Sequence, residues 1–220
     1  MLFRSTMVET YKSQNKASHI SIYFRDLTNG PWIGIDENTL FTPASLLKLP
    51  PLMTYYKMAE TKPDVLREEV LVTQESVDQN RSTEQFVYPK ISVTPNKTYT
   101  VEELLTSLIR YSDNVAWFAL IGHAPLDQII EVYADLGLPY PTVGGQSDFI
   151  SVHEYSSFFR VLYNASYLNQ EMSERALRLL STTDFTDGLK KGVPANVVVA
   201  HKFGERLLSE DVRQFHKRVS

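Results

Sequence analysis

Phe41-Thr42-Pro43-Ala44-Ser45-Leu46-Leu47-Lys48-Leu49-Pro50 marks the point where strand-like alternation gives way to an apolar helix. Upstream, His19-Ile20-Ser21-Ile22-Tyr23-Phe24-Arg25 alternates apolar and polar residues, Asp26 to Gly30 offers turn chemistry, and Trp32-Ile33-Gly34-Ile35 resumes the apolar pattern. That arrangement predicts a β-hairpin. Downstream, Leu46, Leu47, Leu49, Leu52 and Met53 lie within Ala44 to Ala59 at spacings that bury a helix on several sides. Pro50 and Pro51 sit inside that run and supply no amide donor, so a kink is expected there, with a short first turn carrying the start.

Farther along, Val101, Leu104, Leu105, Leu108 and Ile109 recur at helical spacing behind Thr100, which predicts an amphipathic helix capped by Thr100 and ending near Tyr111. Helices are also expected over Val115 to Ile121, Leu126 to Leu136, Val152 to Tyr163 and Ser173 to Leu180, the last with Ser173 as N-cap and Glu174 in its first turn. A polar helix opens the chain, and Gly137 to Ser147 reads as a loop. The β-branched run Val197-Val198-Val199-Ala200-His201-Lys202-Phe203 reads as a buried strand.

Strands at both ends with helices between them predict an α/β (α+β) fold in one domain. Its antiparallel sheet would come from the two chain ends, residues 1–43 and 185–220, and a central all-helical lobe would span 44–184. The cleft between them is where a site is expected.

Composition narrows the partner. With 220 residues, 43% of them hydrophobic, the chain is long enough to bury a sizeable core. A formal net charge of −4, without a run of Lys and Arg, argues against a nucleic-acid surface. There is no Cys, and the five His show no H-x-x-x-H spacing, so neither a metal site nor a cofactor is expected. Met1 to Met7 lack the apolar stretch of a signal peptide, and no segment approaches membrane-spanning length. A small-molecule or peptide partner and a monomeric chain remain the expectation.

Three short elements carry chemistry: Ser45-Leu46-Leu47-Lys48, Ser112-Asp113-Asn114 and Lys202-Phe203-Gly204. Each alone is weak, because ordinary composition yields a Ser-x-x-Lys about once in a chain of this length. A second one stands at Ser13 and Lys16, and a second Lys-x-Gly at Lys190 and Gly192. Context favours Ser45. It opens an apolar helix, where its backbone N–H faces the place an oxyanion would form, and Lys48 falls one turn later on the same face. Lys202 ends the expected strand, and Gly204 would let a substrate backbone approach. The bland alternatives are Ser45 as a helix cap, Lys48 as a solvated cation, Asp113 as a cap and Lys202 as a strand-edge charge. The three elements occurring in order reverse that preference.

With their flanks, Phe41 to Pro50, Tyr111-Ser112-Asp113-Asn114-Val115-Ala116 and His201-Lys202-Phe203-Gly204 resemble class A serine β-lactamases and their penicillin-binding relatives over nearly the whole chain. The resemblance implies that Ser45 is a nucleophile opening a β-lactam or D-alanyl peptide, and Lys48 its proton acceptor. Burial and the second cation, Lys202, would both lower the amine pKa. It implies that Ser112 relays the proton to the leaving nitrogen, Asn114 binds the substrate amide, and Asp113 holds the turn. The oxyanion hole would use the N–H groups of Ser45 and Glu205. It also implies a place in the bacterial cell envelope.

Three departures accompany the resemblance. The family's Glu-x-x-Leu-Asn loop is missing between Asn114 and Lys202; Pro139 to Phe149 takes its place with Asp148 as the one acid, and Glu154 follows in the next helix. Acylation is therefore better supported than rapid hydrolysis. Phe203 replaces a hydroxyl residue that binds the substrate carboxylate, a loss of roughly 1.5–3 kcal/mol unless His201 or Arg206, both expected at the surface, compensates. Finally, only Glu205 to Ser220 follow the Lys202 segment, so the last strands of the family's sheet are expected to be missing. A D,D-peptidase, or a β-lactam-binding sensor or scaffold that stays acylated, are the alternatives.

Overall fold

The computed structural model describes residues 2–28, 30–81, 89–141 and 147–205. The hairpin forms as read: β1 (Ile22–Arg25) pairs antiparallel with β2 (Trp32–Ile35), Ile22 opposite Ile35 and Arg25 opposite Trp32. Asp26 shapes its turn by accepting from the Thr28 backbone N–H at 2.9 Å. Ahead of the hairpin lies helix α1 (Leu2–Ser13). Behind it, β3 (Leu40–Phe41) leads into a 3₁₀ turn over Ala44–Lys48 and then helix α2 (Leu49–Ala59).

The prolines do not interrupt α2. Pro50 and Pro51 occupy its first turn, where the N–H groups have no intrahelical acceptor to lose. The expected short first turn is thus a separate 3₁₀ element. Leu49, Leu52, Met53, Tyr55, Tyr56 and Ala59 are buried on several faces of α2, which runs through the core. The Tyr55 hydroxyl, buried among them, donates to the Leu120 carbonyl at 3.0 Å. Burial raises the pKa of this phenol, so it stays a donor.

The next segment holds elements that the sequence did not announce. β4 (Glu69–Val72) leads into α3 (Gln74–Arg81) and pairs antiparallel with β5 (Lys97–Thr100). Helix α4 (Val101–Arg110) begins at Thr100 in a full capping box: Thr100 Oγ1 accepts from the Glu103 N–H, and Glu103 reaches back to the Thr100 N–H at 2.7 Å. Its buried residues Val101, Leu104, Leu105, Leu108 and Ile109 are those the periodicity selects.

Helices α5 (Asn114–His123), α6 (Leu126–Asp135), α7 (Val152–Tyr163) and α8 (Gln170–Ser181) stand close to their expected spans. The start of α8 differs: Asn169 is its N-cap, accepting from the Met172 N–H at 2.9 Å, and Ser173 is buried inside the helix. Short β6 (Ile150–Ser151) pairs with β3 and ties the entry of α7 to the segment just before Ser45. His153 of α7 packs against the hairpin residues Tyr23 and Trp32, with ring centroids 4.6 and 6.5 Å away.

The mixed α/β fold therefore stands, with eight α-helices and small antiparallel sheets among the described residues. One expected strand is not formed. Residues 197–203 find no ladder partner among the described residues; Val197 and Val198 are exposed, and the Val197 N–H turns back to the Pro194 carbonyl at 2.9 Å. The C-terminal end of α8 holds this segment instead. His201 N–H donates to the Leu180 carbonyl at 3.3 Å, and Thr183 Oγ1 donates to the His201 carbonyl at 3.0 Å. Residues 201–205 thus form an extended strap. No helix among the described residues is long and apolar enough to cross a membrane.

Candidate active site

Three pieces of backbone meet at one place: the 3₁₀ turn of Ala44–Lys48, the turn of Ser112 ahead of α5, and the strap. Ala44 and Ser112 both adopt left-handed backbone, with φ of 48° and 55°. Such conformations cost a non-glycine residue roughly 1–3 kcal/mol, and the packing around them must hold them there.

For Ser112, that packing centres on Asp113. Its side chain is fully buried and accepts four hydrogen bonds, each 2.9 Å long: from Ser92 Oγ, Ser107 Oγ and the N–H groups of Val93 and Val115. Asp113 is also the N-cap of α5. Its functional and its bland readings therefore coincide.

Lys48, 3% exposed, points into the junction. Its Nζ lies 3.0 Å from Ser45 Oγ, 3.1 Å from Ser112 Oγ, 2.6 Å from the Ser112 carbonyl and 2.5 Å from Asn114 Oδ1. From the strap, Lys202 Nζ donates to Ser112 Oγ at 2.8 Å and to the Phe203 carbonyl at 2.8 Å, and lies 4.3 Å from the Phe203 ring centroid. One serine hydroxyl thus meets two buried amines.

Burial pushes the Lys48 amine down to about 7, against the attraction of the Asp113 and Glu205 carboxylates. Lys202 is pushed well below the ordinary lysine range, by burial first and then by the charge of Lys48, with Glu205 opposing. Desolvation thus dominates for both amines.

Gly204 lets two pieces of this chain approach each other closely. A Cβ there would stand 2.6 Å from the Pro43 carbonyl oxygen and 2.9 Å from Leu46 Cγ, so the missing side chain lets the strap close onto the Ser45 turn. His201 is buried at 5% exposure and its Nε2 has no partner among the described residues, so it is not the surface residue expected. Burial, Lys190 and Lys202 lower its pKa. Arg206 lies outside the described residues, as do 142–146 of the loop.

The alternative serine and lysines stand elsewhere. Ser13 ends α1, exposed, with its hydroxyl on the Thr10 carbonyl, and Lys16 lies over the Tyr11 ring. Lys190 and Gly192 belong to an exposed 3₁₀ turn. The acids near the cleft are engaged: Asp148 accepts from the Thr42 hydroxyl, and Glu154 closes a capping box with Ser151 at the start of α7. Ser92, Ser107 and Tyr155 were not singled out in the sequence; Tyr155 donates to the Leu46 carbonyl at 3.1 Å and so braces the residue after Ser45. Among the described residues, no group of three or more His, Asp or Glu could hold a metal ion.

Solved structures with the same fold include a β-lactamase from Chitinophaga pinensis, at TM-score 0.75 and 16% identity over 94% of this chain and 80% of that one. A class A β-lactamase from Mycobacterium abscessus aligns at 0.73 and 19% identity, over 91% and 79%. PBP-A aligns at 0.71 and 18%, over 91% and 77%, and a PBP-A mutant solved as an acyl-enzyme with penicillin G aligns at 0.70 and 18% over 91% and 78%. No curated protein matches the sequence. The profile of the Beta-lactamase enzyme family matches residues 4–212, nearly the whole length. The chain belongs to the serine β-lactamase and penicillin-binding-like family.

Proposed function

We propose that this protein is an acyl-serine hydrolase in which Ser45 is acylated by β-lactams and the β-lactam amide is opened. The observation that carries this reading is the set of contacts around Lys48. A neutral amine has two N–H donors and one lone pair. Two of its neighbours, the Ser112 carbonyl and Asn114 Oδ1, only accept, so they take both donors. The lone pair is left facing the hydroxyls of Ser45 and Ser112. An amine with a pKa of about 7 is in that state for a large fraction of molecules at neutral pH.

In this mechanism Ser45 Oγ forms a bond to the lactam carbonyl carbon as its proton passes to Lys48. The C–N bond then breaks, and Ser112, in contact with both lysines, returns the proton to the leaving nitrogen. Lys202 and Asn114 bound the substrate, and the N–H groups of Ser45 and Glu205 face the developing oxyanion. The Ser45 N–H stands in a first turn, where it has no intrahelical acceptor, so it is available for that task. Water then cleaves the ester and restores Ser45.

A second reading is favoured by one specific observation. No Glu-x-x-Leu-Asn pattern occurs in the chain, and Asp148 and Glu154 are committed to Thr42 and Ser151. A protein that acylates and remains acylated, or a D,D-peptidase using the same residues, is the rival. Turnover of a chromogenic cephalosporin, compared with the lifetime of a benzylpenicillin adduct in intact-mass spectra, separates them. Hydrolysis supports the β-lactamase reading; an adduct persisting for hours without turnover supports the rival.

A further inference from the structure

Leu46, the residue after Ser45, is held by two other parts of the chain. The strap meets it at Gly204, where an added Cβ would stand 2.9 Å from Leu46 Cγ and 3.1 Å from its amide nitrogen. From α7, the Tyr155 hydroxyl donates to the Leu46 carbonyl at 3.1 Å, beside the Leu49 N–H, which donates to the same oxygen. This carbonyl belongs to the stretch between Ser45 and Lys48, so whatever holds it holds the spacing of the two. The start of α7 is itself tied to that stretch. β3 and β6 pair Phe41 with Ile150; five residues on from Phe41 stands Leu46, and five on from Ile150 stands Tyr155. The Ser151–Glu154 capping box fixes the first turn of α7 between those two contacts. The Tyr155 ring packs against Phe158 and Phe159, with centroids 5.5 and 6.0 Å away.

We infer that Tyr155 is a positioning residue for acylation: its hydroxyl fixes the Leu46 peptide, and through it the aim of Ser45 Oγ toward Lys48 and of the Ser45 N–H toward the substrate. This rests on the acyl-serine reading of Ser45 and adds to it a residue that acts through another. Ala44 shows why the turn needs holding. Its φ of 48° is left-handed backbone, which a residue with a Cβ leaves when nothing restrains it. The Leu46 N–H closes that turn from within, onto the Pro43 carbonyl at 2.9 Å, and Tyr155 closes it from α7. A small displacement of Ser45 Oγ is enough to slow an attack that depends on near-contact geometry. Burial first, and then Tyr133, hold the Tyr155 phenol well above its ordinary value, so its hydrogen bond persists over the pH range in which Lys48 titrates.

Tyr155→Phe keeps the ring and removes only the donor, and the chain supplies a matched control. Tyr55 likewise donates a phenol hydrogen bond to a carbonyl, that of Leu120 at 3.0 Å, and this oxygen also keeps a second donor, the Ala124 N–H. Its bond joins α2 to α5 and not α7 to the Ser45 turn. Acylation of each variant of the full chain by benzylpenicillin is followed by time-resolved intact mass over a range of concentrations and pH, with melting recorded alongside. Tyr155→Phe is expected to lower the limiting acylation rate at least tenfold, with the half-saturating concentration within threefold of wild type and the pH limb in place. Tyr55→Phe is expected to melt as early as Tyr155→Phe or earlier, and to acylate within twofold of wild type. A limiting rate within threefold of wild type for Tyr155→Phe overturns the inference, and so does an equal loss in Tyr55→Phe, which would make the effect one of general stability. A wild-type chain that forms no adduct at Ser45 overturns the acyl-serine reading itself, an outcome distinguishable because no rate then exists for the variants to change.

Discussion

Lys202 Nζ and Lys48 Nζ converge on one hydroxyl, Ser112 Oγ, from 2.8 and 3.1 Å. Two amines can share a buried serine at this distance only if the pair gives up charge, because burial penalises the protonated form of each. The proposed chemistry follows from that loss.

The acylation rate should accordingly rise with pH through a limb near 7, the value to which burial pushes Lys48. Below it the amine is protonated and accepts nothing from Ser45; above it the rate should level off. Lys48→Ala should lower acylation 10²- to 10⁴-fold and abolish the limb. Stability gives an independent check. In the unfolded chain Lys48 titrates near its ordinary 10.5, so between pH 7 and 10.5 the unfolded state binds more protons. Wild-type stability should then increase with pH across this window relative to Lys48→Met, by an amount on the order of a few kcal/mol. Parallel pH profiles of the two proteins in urea would contradict this.

Gly204→Ala tests the closure of the strap. A Cβ would meet the Pro43 carbonyl oxygen, a backbone atom, so the strap must lift from the Ser45 turn. Acylation should fall at least tenfold while the melting temperature moves by only a few degrees, because residues 201–205 lie at the margin of the core. Unchanged kinetics would show that the strap need not seat on that turn.

Asp113→Asn removes a buried charge that four donors point at. An amide offers one acceptor oxygen and places an NH₂ against donors, so urea titration should show a loss of about 3 kcal/mol or more. The carboxylate also attracts the Lys48 proton. Its removal should shift the acylation limb to lower pH in whatever fraction stays folded. A shift to higher pH would contradict the electrostatic account.

The sequence carried the hairpin, the helices and the residues that meet at the junction, because their signals are local. Thr100 and Glu103 announce a capping box at fixed spacing, and Ser45 and Lys48 lie one turn apart. Longer-range partners left no such mark. Ser92 bonds Asp113 from 21 residues upstream, out of a polar segment with no periodicity. β4 carries an apolar residue, Leu71, on its exposed face, which breaks the alternation, and β5 offers Tyr99 as its one large apolar side chain among Lys97, Thr98 and Thr100. The strand expected over 197–203 does not form, because β-branched residues signal extended backbone and not the presence of a partner. Asn169, with Met172 three residues on, is as good a cap as Ser173 and stands one turn earlier.

The central claim is that Ser45 is the acyl-accepting serine. Incubation with benzylpenicillin followed by proteolysis and peptide mapping should place the penicilloyl mass on the peptide containing Ser45, and Ser45→Ala should remove it. A penicilloyl group on Ser13, or one that survives Ser45→Ala, would contradict the account.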